Sequence, residues 1–212
     1  MSEDRSDFDL LDCWGTGDLV AGNALFERYF DTLYRFFRTK VDHDLQDLIQ
    51  RTLLACVEGR ARFRRESSFR TYLFQTARFQ LYTHYRELKR NKDLDFAVLT
   101  AADLFASPSG VIAQKQDFRM LLEALRRIPL DHQIVLELSF WEELSGPEIA
   151  EVLAIPEATV RSRLRRASER LRGELEALGG RALQLRETAD DLQEWALRLS
   201  ELARQEIGET KC

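Results

Sequence analysis

The stretch Leu144-Ser145-Gly146-Pro147-Glu148-Ile149-Ala150-Glu151-Val152-Leu153-Ala154-Ile155-Pro156-Glu157-Ala158-Thr159-Val160-Arg161-Ser162-Arg163-Leu164 decides how this chain folds. Ser145 is suited to cap a short helix, Pro147 is tolerated in its first turn, and Glu148 completes a capping box. On that helix Ile149, Ala150 and Leu153 face inward, and small Ala150 lets a second helix approach closely. Pro156 then restarts the chain in a new direction. In the helix that follows, Val160, Leu164, Ala167 and Leu171 share one face, while Arg161, Arg165, Ser168 and Arg172 form the neighbouring stripe. Residues 158–172 hold six arginines against one glutamate, Glu169. Alone, such a helix reads first as an ordinary surface helix whose arginines lie over the core. Behind a short capped helix and a three-residue turn it reads as a helix-turn-helix, with an apolar face to dock it and donors for base edges and phosphates.

Working outward, residues 118–128 and 132–141 predict two more helices separated by Pro129, and Gly179-Gly180 ends this unit. Ahead of it, residues 91–116 lose the apolar period and carry Asp93, Asp95, Asp103 and the turn signal Ser107-Pro108-Ser109-Gly110, which reads as a linker. Residues 11–89 are a run of helices. Phe26, Tyr29, Phe30, Leu33, Phe36 and Phe37 recur at three- and four-residue spacing, and Leu45, Leu48, Ile49, Leu53 and Val57 begin a second stripe. Ser67 or Ser68 caps a third helix carrying Tyr72, Leu73, Ala77 and Leu81. Residues 181–207 predict one amphipathic helix, with Leu185, Leu192 and Leu199 at seven-residue spacing and Trp195 and Leu202 offset by three. The expected fold is all-α: two small helical domains joined by a flexible linker, the second a helix-turn-helix domain, plus a C-terminal helical extension. The boundaries fall at 1–90, 91–116, 117–178 and 179–212.

The 212 residues include 44% hydrophobic and 32% charged side chains, enough apolar material for real cores. No apolar run approaches the roughly 20 residues that span a bilayer, and residues 1–9 are acidic, unlike a signal peptide, so a cytoplasmic protein without membrane insertion is expected. Cys13, Cys56 and Cys212 form no close pair, and His43, His84 and His132 are scattered. Neither a disulfide framework nor a metal site follows, and no cofactor is expected. Without a Gly-rich phosphate loop or a nucleophile–base pairing, the chain does not read as an enzyme.

Net charge is −5, yet its distribution is uneven. Residues 1–59 carry 12 acidic and 6 basic side chains, a net of −6, whereas residues 60–92 carry 10 basic and 2 acidic, a net of +8. The basic block interleaves with Phe63, Phe69, Tyr72, Phe74, Phe79, Tyr82 and Tyr85. Cations that hold a backbone beside aromatic faces that accept unstacked bases are the chemistry of single-strand capture. Part of that set, Phe69 and Phe74 with Leu73, reads as core, and periodicity leaves Tyr72, Tyr82 and Tyr85 open.

Asp47-Leu48-Ile49-Gln50, the arginine-rich residues 60–65 and Ser67-Ser68-Phe69-Arg70-Thr71-Tyr72-Leu73-Phe74 together resemble the first conserved domain of extracytoplasmic-function sigma factors. Residues 144–172 resemble the helix-turn-helix of their second. The resemblance implies that Asp47, Leu48, Ile49 and Gln50 dock on core RNA polymerase. It implies that Arg64, Arg65, Arg70, Tyr82 and Arg86 meet single-stranded promoter DNA. Thr159, Arg161, Ser162, Arg165 and Arg166 would read the upstream element as duplex. It also implies restraint by an anti-sigma factor, whereas self-regulation by the C-terminal extension is expected from the apolar stripe of residues 181–212, which the minimal family lacks. The other reading of the residues is a helix-turn-helix transcription regulator without a promoter-melting role. Three positions depart from the family: Arg51 stands where an acidic residue is common, Phe79 where an asparagine is common, and Ala154 where the turn usually has glycine. If that turn needs positive φ, Ala154 is strained.

Overall fold

The computed structural model describes residues 5–61, 63, 66–89, 94–103 and 116–178, with the backbone alone at 103 and 116–119. Arg64 and Arg65, and the C-terminal extension from 179 to 212, lie outside the described residues. The fold is all-α. Its helices are α1 (Asp7–Gly15), α2 (Leu19–Arg38), α3 (Leu45–Gly59), α4 (Phe69–Lys89), α5 (Gln116–Arg127), α6 (Leu130–Phe140), α7 (Gly146–Leu153) and α8 (Glu157–Ala177).

Local chemistry sets the boundaries. Asp18 accepts from the backbone N–H groups of Val20 and Ala21 at the start of α2. Ser68, rather than Ser67, caps α4 by accepting from the Thr71 N–H at 3.1 Å. Asp44, with φ 61°, turns the chain between α2 and α3 in the left-handed region, which Asp tolerates better than most residues. The close crossing of α1 and α2 depends on Gly22: a Cβ there would sit 2.7 Å from the Trp14 indole.

Two apolar cores result. Leu25, Leu33 and Phe37 of α2 meet Leu48, Ile49 and Leu53 of α3 and Phe69, Leu73, Phe74 and Leu81 of α4. In the second unit Leu125, Ile134, Leu138, Ile149, Leu153, Val160, Ala167 and Leu171 are buried, joined by Val152, which the inward pattern of α7 had not included. Ala150, expected to face inward, is half-buried.

The units are not separate beads. They meet along a seam where α4 packs on α7 and where the end of α2 faces α6. At its centre Lys40 and Glu137 form an ion pair with 0% and 2% of their side chains exposed. Glu137 also accepts from Thr39 Oγ1 at 2.8 Å and from Gln133 Nε2 at 2.9 Å. Lys40 donates to the Phe36 carbonyl and lies 4.1 Å from the Phe36 ring centre. Burial lowers the Lys40 pKa and raises that of Glu137, and each partner opposes the shift of the other. Around this centre Arg126 donates to Asp42 at 2.5 Å, the Tyr85 hydroxyl donates to the Lys40 carbonyl at 2.6 Å, and Glu142 accepts from both Arg35 and Arg70.

Part of the segment read as a linker, residues 94–103, makes hydrogen bonds to the second unit. Residues 94–103 run between α4 and α6, with the Leu99 carbonyl accepting from the Leu130 N–H at 2.8 Å and the Phe96 carbonyl from the Asp131 N–H at 3.2 Å. These two donors belong to the first turn of α6, which has no helical partner for them. The apolar period failed to predict this contact because one ring, Phe96, and backbone bonds supply it.

Replacing Glu137 with Ala leaves Lys40 charged and buried without its partner. The expected cost is about 3–5 kcal/mol, measured by denaturant unfolding of the full chain.

Candidate nucleic-acid interface

The turn between α7 and α8 sets the geometry of the second unit. Ser145 and Glu148 form the expected capping box, with the Ser145 N–H donating to Glu148 at 2.8 Å. These bonds to Ser145 hold the Glu148 carboxyl below its usual range. At the other end Ala154 takes φ 53° and ψ 46°, the left-handed conformation, and the Ile155 N–H closes back on the Ala150 carbonyl at 3.0 Å. The chain leaves this turn through Pro156, whose carbonyl starts α8 by accepting from Thr159 and Val160.

On α8, Val160, Ala167 and Leu171 are buried, Leu164 half-buried, and Arg161, Arg165, Arg166 and Arg170 exposed. Arg161 and Arg165 have 68% and 69% of their side chains exposed. Each is held by a carboxylate one turn away: Arg161 by Glu157 at 2.6 Å and Arg165 by Glu169 at 2.8 Å. Such exposed pairs are worth only about 0.3–0.5 kcal/mol, so they orient the guanidinium groups without committing them. Ser162 spends its hydroxyl proton on the Thr159 carbonyl at 3.0 Å, leaving its oxygen as an acceptor. Arg163 turns the other way and donates to Asp131 at 2.9 Å. Behind the helix, burial and then Arg170 and Arg163 lower the pKa of His132, keeping it from adding a charge.

The face of α3 is built differently. Asp47 and Gln50 are exposed, whereas Leu48 and Ile49 have no exposed surface and belong to the core. Of the four residues expected at a polymerase contact, Asp47 and Gln50 reach the surface, because helical spacing turns the two residues between them inward. Arg51 and Leu54 extend the same face; Arg51 is paired to Asp47 at 2.7 Å and approaches Glu87 at 3.7 Å, and Leu54 is exposed to 53%. Leu54 was missed, although its place outside the apolar stripe of Leu48, Ile49 and Leu53 was visible in the spacing.

The basic-aromatic block divides. Tyr85 and Phe74 are core. Tyr72 stacks on Phe63 with centroids 4.3 Å apart and donates to the Cys56 carbonyl at 3.3 Å. Burial pushes the Cys56 thiol up to about 12, so it stays protonated. Phe79 is 63% exposed. Arg70 and Tyr82, both expected at a single strand, are engaged with the second unit. Arg70 donates to Glu142 at 2.7 Å, and Tyr82 is buried with its hydroxyl donating to Asp131. Burial and the Asp131 charge raise the Tyr82 pKa. Arg86 lies over the Phe96 ring at 5.3 Å. Among the described residues no cluster of His, Cys, Asp and Glu could hold a metal ion, and no described helix is long and apolar enough to cross a membrane.

Comparison with known proteins follows this geometry. Residues 25–91 match the family described as Sigma-70 region 2, and residues 118–171 match Sigma-70, region 4. The ECF RNA polymerase sigma-E factor of Haemophilus influenzae is 27% identical over 189 residues, covering 84% of this chain and all of that one. Among solved structures, CnrH in complex with the cytosolic domain of CnrY is similar with a TM-score of 0.58 at 22% identity, covering 82% of this chain and 99% of that one. RpoE of Bartonella quintana, in complex with the anti-sigma factor NepR, is similar with a TM-score of 0.53 at 21% identity, covering 73% of this chain and 96% of that one.

One consequence concerns the turn. A left-handed alanine is strained by about 1–2 kcal/mol, and glycine removes the strain at a smaller entropic cost. Ala154→Gly is expected to raise the thermal midpoint by about 1–3 °C, read by circular dichroism with the helix content unchanged.

Proposed function

The chain belongs to the sigma-70 family, in its extracytoplasmic-function group, and from that premise we propose that it joins core RNA polymerase, recognises promoter DNA and directs transcription initiation. The carrying observation is that the two region matches fall, in order, on the unit with the basic-aromatic helix and on the unit with the helix-turn-helix. A plain duplex-binding regulator has no use for the first.

The division of labour follows the surfaces. Asp47 and Gln50, flanked by Arg51 and Leu54, form the face that meets polymerase. Arg64, Arg65, Arg70, Tyr82 and Arg86 serve the single strand, and Thr159, Arg161, Ser162, Arg165 and Arg166 serve the duplex. The domain boundaries at 1–90, 91–116, 117–178 and 179–212 are kept with these roles. The protein acts by binding, the catalysis being the polymerase's, and it works in the cytoplasm where its DNA lies. A solved relative in complex with an anti-sigma factor supports a similar restraining partner here, and the C-terminal extension is the alternative restraint.

Run-off transcription with purified core polymerase on genomic fragments tests the reading; no transcript dependent on this chain would refute it. Asp47→Ala with Gln50→Ala is expected to weaken holoenzyme assembly at least about tenfold, since a polar interface loses both a charge and a donor–acceptor pair. Co-purification with core enzyme measures it. Arg165→Ala separates two roles. Loss of about 1–3 kcal/mol at one or two base pairs marks a bidentate base contact, whereas uniform loss across promoter variants marks a phosphate contact.

A further inference from the structure

The rings of Tyr82 and Phe96 stack with centroids 3.9 Å apart and planes 10° from parallel. Arg78 lies over the Tyr82 ring at 4.7 Å, and Arg86 over the Phe96 ring at 5.3 Å. Each ring of the stacked pair thus has one guanidinium beside it. Parallel stacking is shared by Phe63 and Tyr72, at 4.3 Å and 18°, whereas Phe8–Phe69, Tyr29–Phe69 and Phe36–Phe37 meet edge-on. The Tyr82–Phe96 pair is closer and flatter than any of these and carries a cation on each ring. Flat stacking between cations is how a protein holds an unpaired nucleobase.

Phe96 comes from outside the helix that carries its partners. Asp95 builds the turn that presents it: its side chain accepts from the Ala97 N–H at 2.9 Å and its carbonyl from Leu99 at 2.9 Å. The turn is also tied to α6 through the Phe96 and Leu99 carbonyls, and the ring it presents stacks on that of Tyr82. Tyr82, Arg78 and Arg86 all lie on α4, one helix of the basic-aromatic block.

We propose that Tyr82, with Arg78 and Arg86, is a masked stacking site for one unpaired base of single-stranded DNA, and that Phe96 occupies it as an internal surrogate which the base displaces. The proposal deepens the reading of the chain as a sigma factor and rests on it for the source of the strand. The surrogate lowers affinity for free single strands, so that the site fills only where another contact, such as polymerase, holds the strand in place.

The test uses the full chain and a fluorescein-labelled, thymine-rich 15-nucleotide strand in fluorescence anisotropy. Phe96→Ala uncovers the site and should tighten binding about three- to tenfold, the range of an aromatic pair. Adding Tyr82→Leu to Phe96→Ala should abolish that gain. Phe96→Trp preserves the packing and stacks more strongly, so it should bind the strand more weakly than the wild type. Unchanged or weaker binding by a folded Phe96→Ala overturns the proposal, as does a gain that survives loss of the Tyr82 ring. If Phe96→Ala does not fold, the tryptophan variant decides, and binding at or above the wild-type level refutes the masking. Run-off transcription by the wild-type chain is scored separately: its failure would remove the sigma reading, whereas the anisotropy series bears on the masked site alone.

Discussion

A carboxylate in a dry interior governs this structure. Glu137 sits where several kcal/mol of lost hydration must be offset, and three donors, Lys40, Thr39 and Gln133, converge on it. Two of the three come from the end of α2, in the other unit. Neither half can therefore bury its share of the network alone. Apolar surfaces slide over one another at little cost, but a hydrogen-bonded pair has one register, and this one sets how the two units face each other. The peripheral bonds, Asp42 with Arg126 and Glu142 with Arg35 and Arg70, fall into place around that register.

With the register set, the outer surfaces follow. The end of α4 is turned toward the start of α6, which draws Tyr82 to Asp131 and, through the same carboxylate, ties Arg163 of α8 to the seam. Arg163 is thus removed from the arginine stripe that its neighbours form. What remains outward on α8 is the set one turn apart, Arg161 and Arg165, with Arg166 and Arg170 beside them.

Much of this was legible in the sequence because it is local. The capping box at Ser145, the break at Pro156, the left-handed alanine and the apolar stripes of α2, α3 and α8 each depend on residues within one or two turns. What the sequence did not announce depends mostly on pairing across long separations. Lys40 and Glu137 are ordinary helix residues until they are brought together. Asp131, just ahead of the helix expected over residues 132–141, collects a tyrosine and an arginine from two other helices. Tyr82 stood out in the sequence as a candidate for the single strand, but its surroundings come from Phe96 and Asp131, which no period on α4 announces. Leu48 and Ile49 were placed with their motif neighbours because a motif is read as a string, whereas a helix presents only part of it.

The intrahelical pairs on α8 bear on how ionic strength acts. If α8 meets duplex DNA as proposed, Arg161 and Arg165 approach a phosphate already paired to Glu157 and Glu169 rather than as free cations. Added salt displaces the protein from DNA by restoring the counterions that binding released, but it also screens the two resting pairs and so makes their arginines easier to recruit. The two effects oppose each other. The affinity of this helix for duplex should then fall less steeply with salt than its number of phosphate contacts implies, and the glutamates act as a built-in buffer against changes in the ionic composition around the DNA.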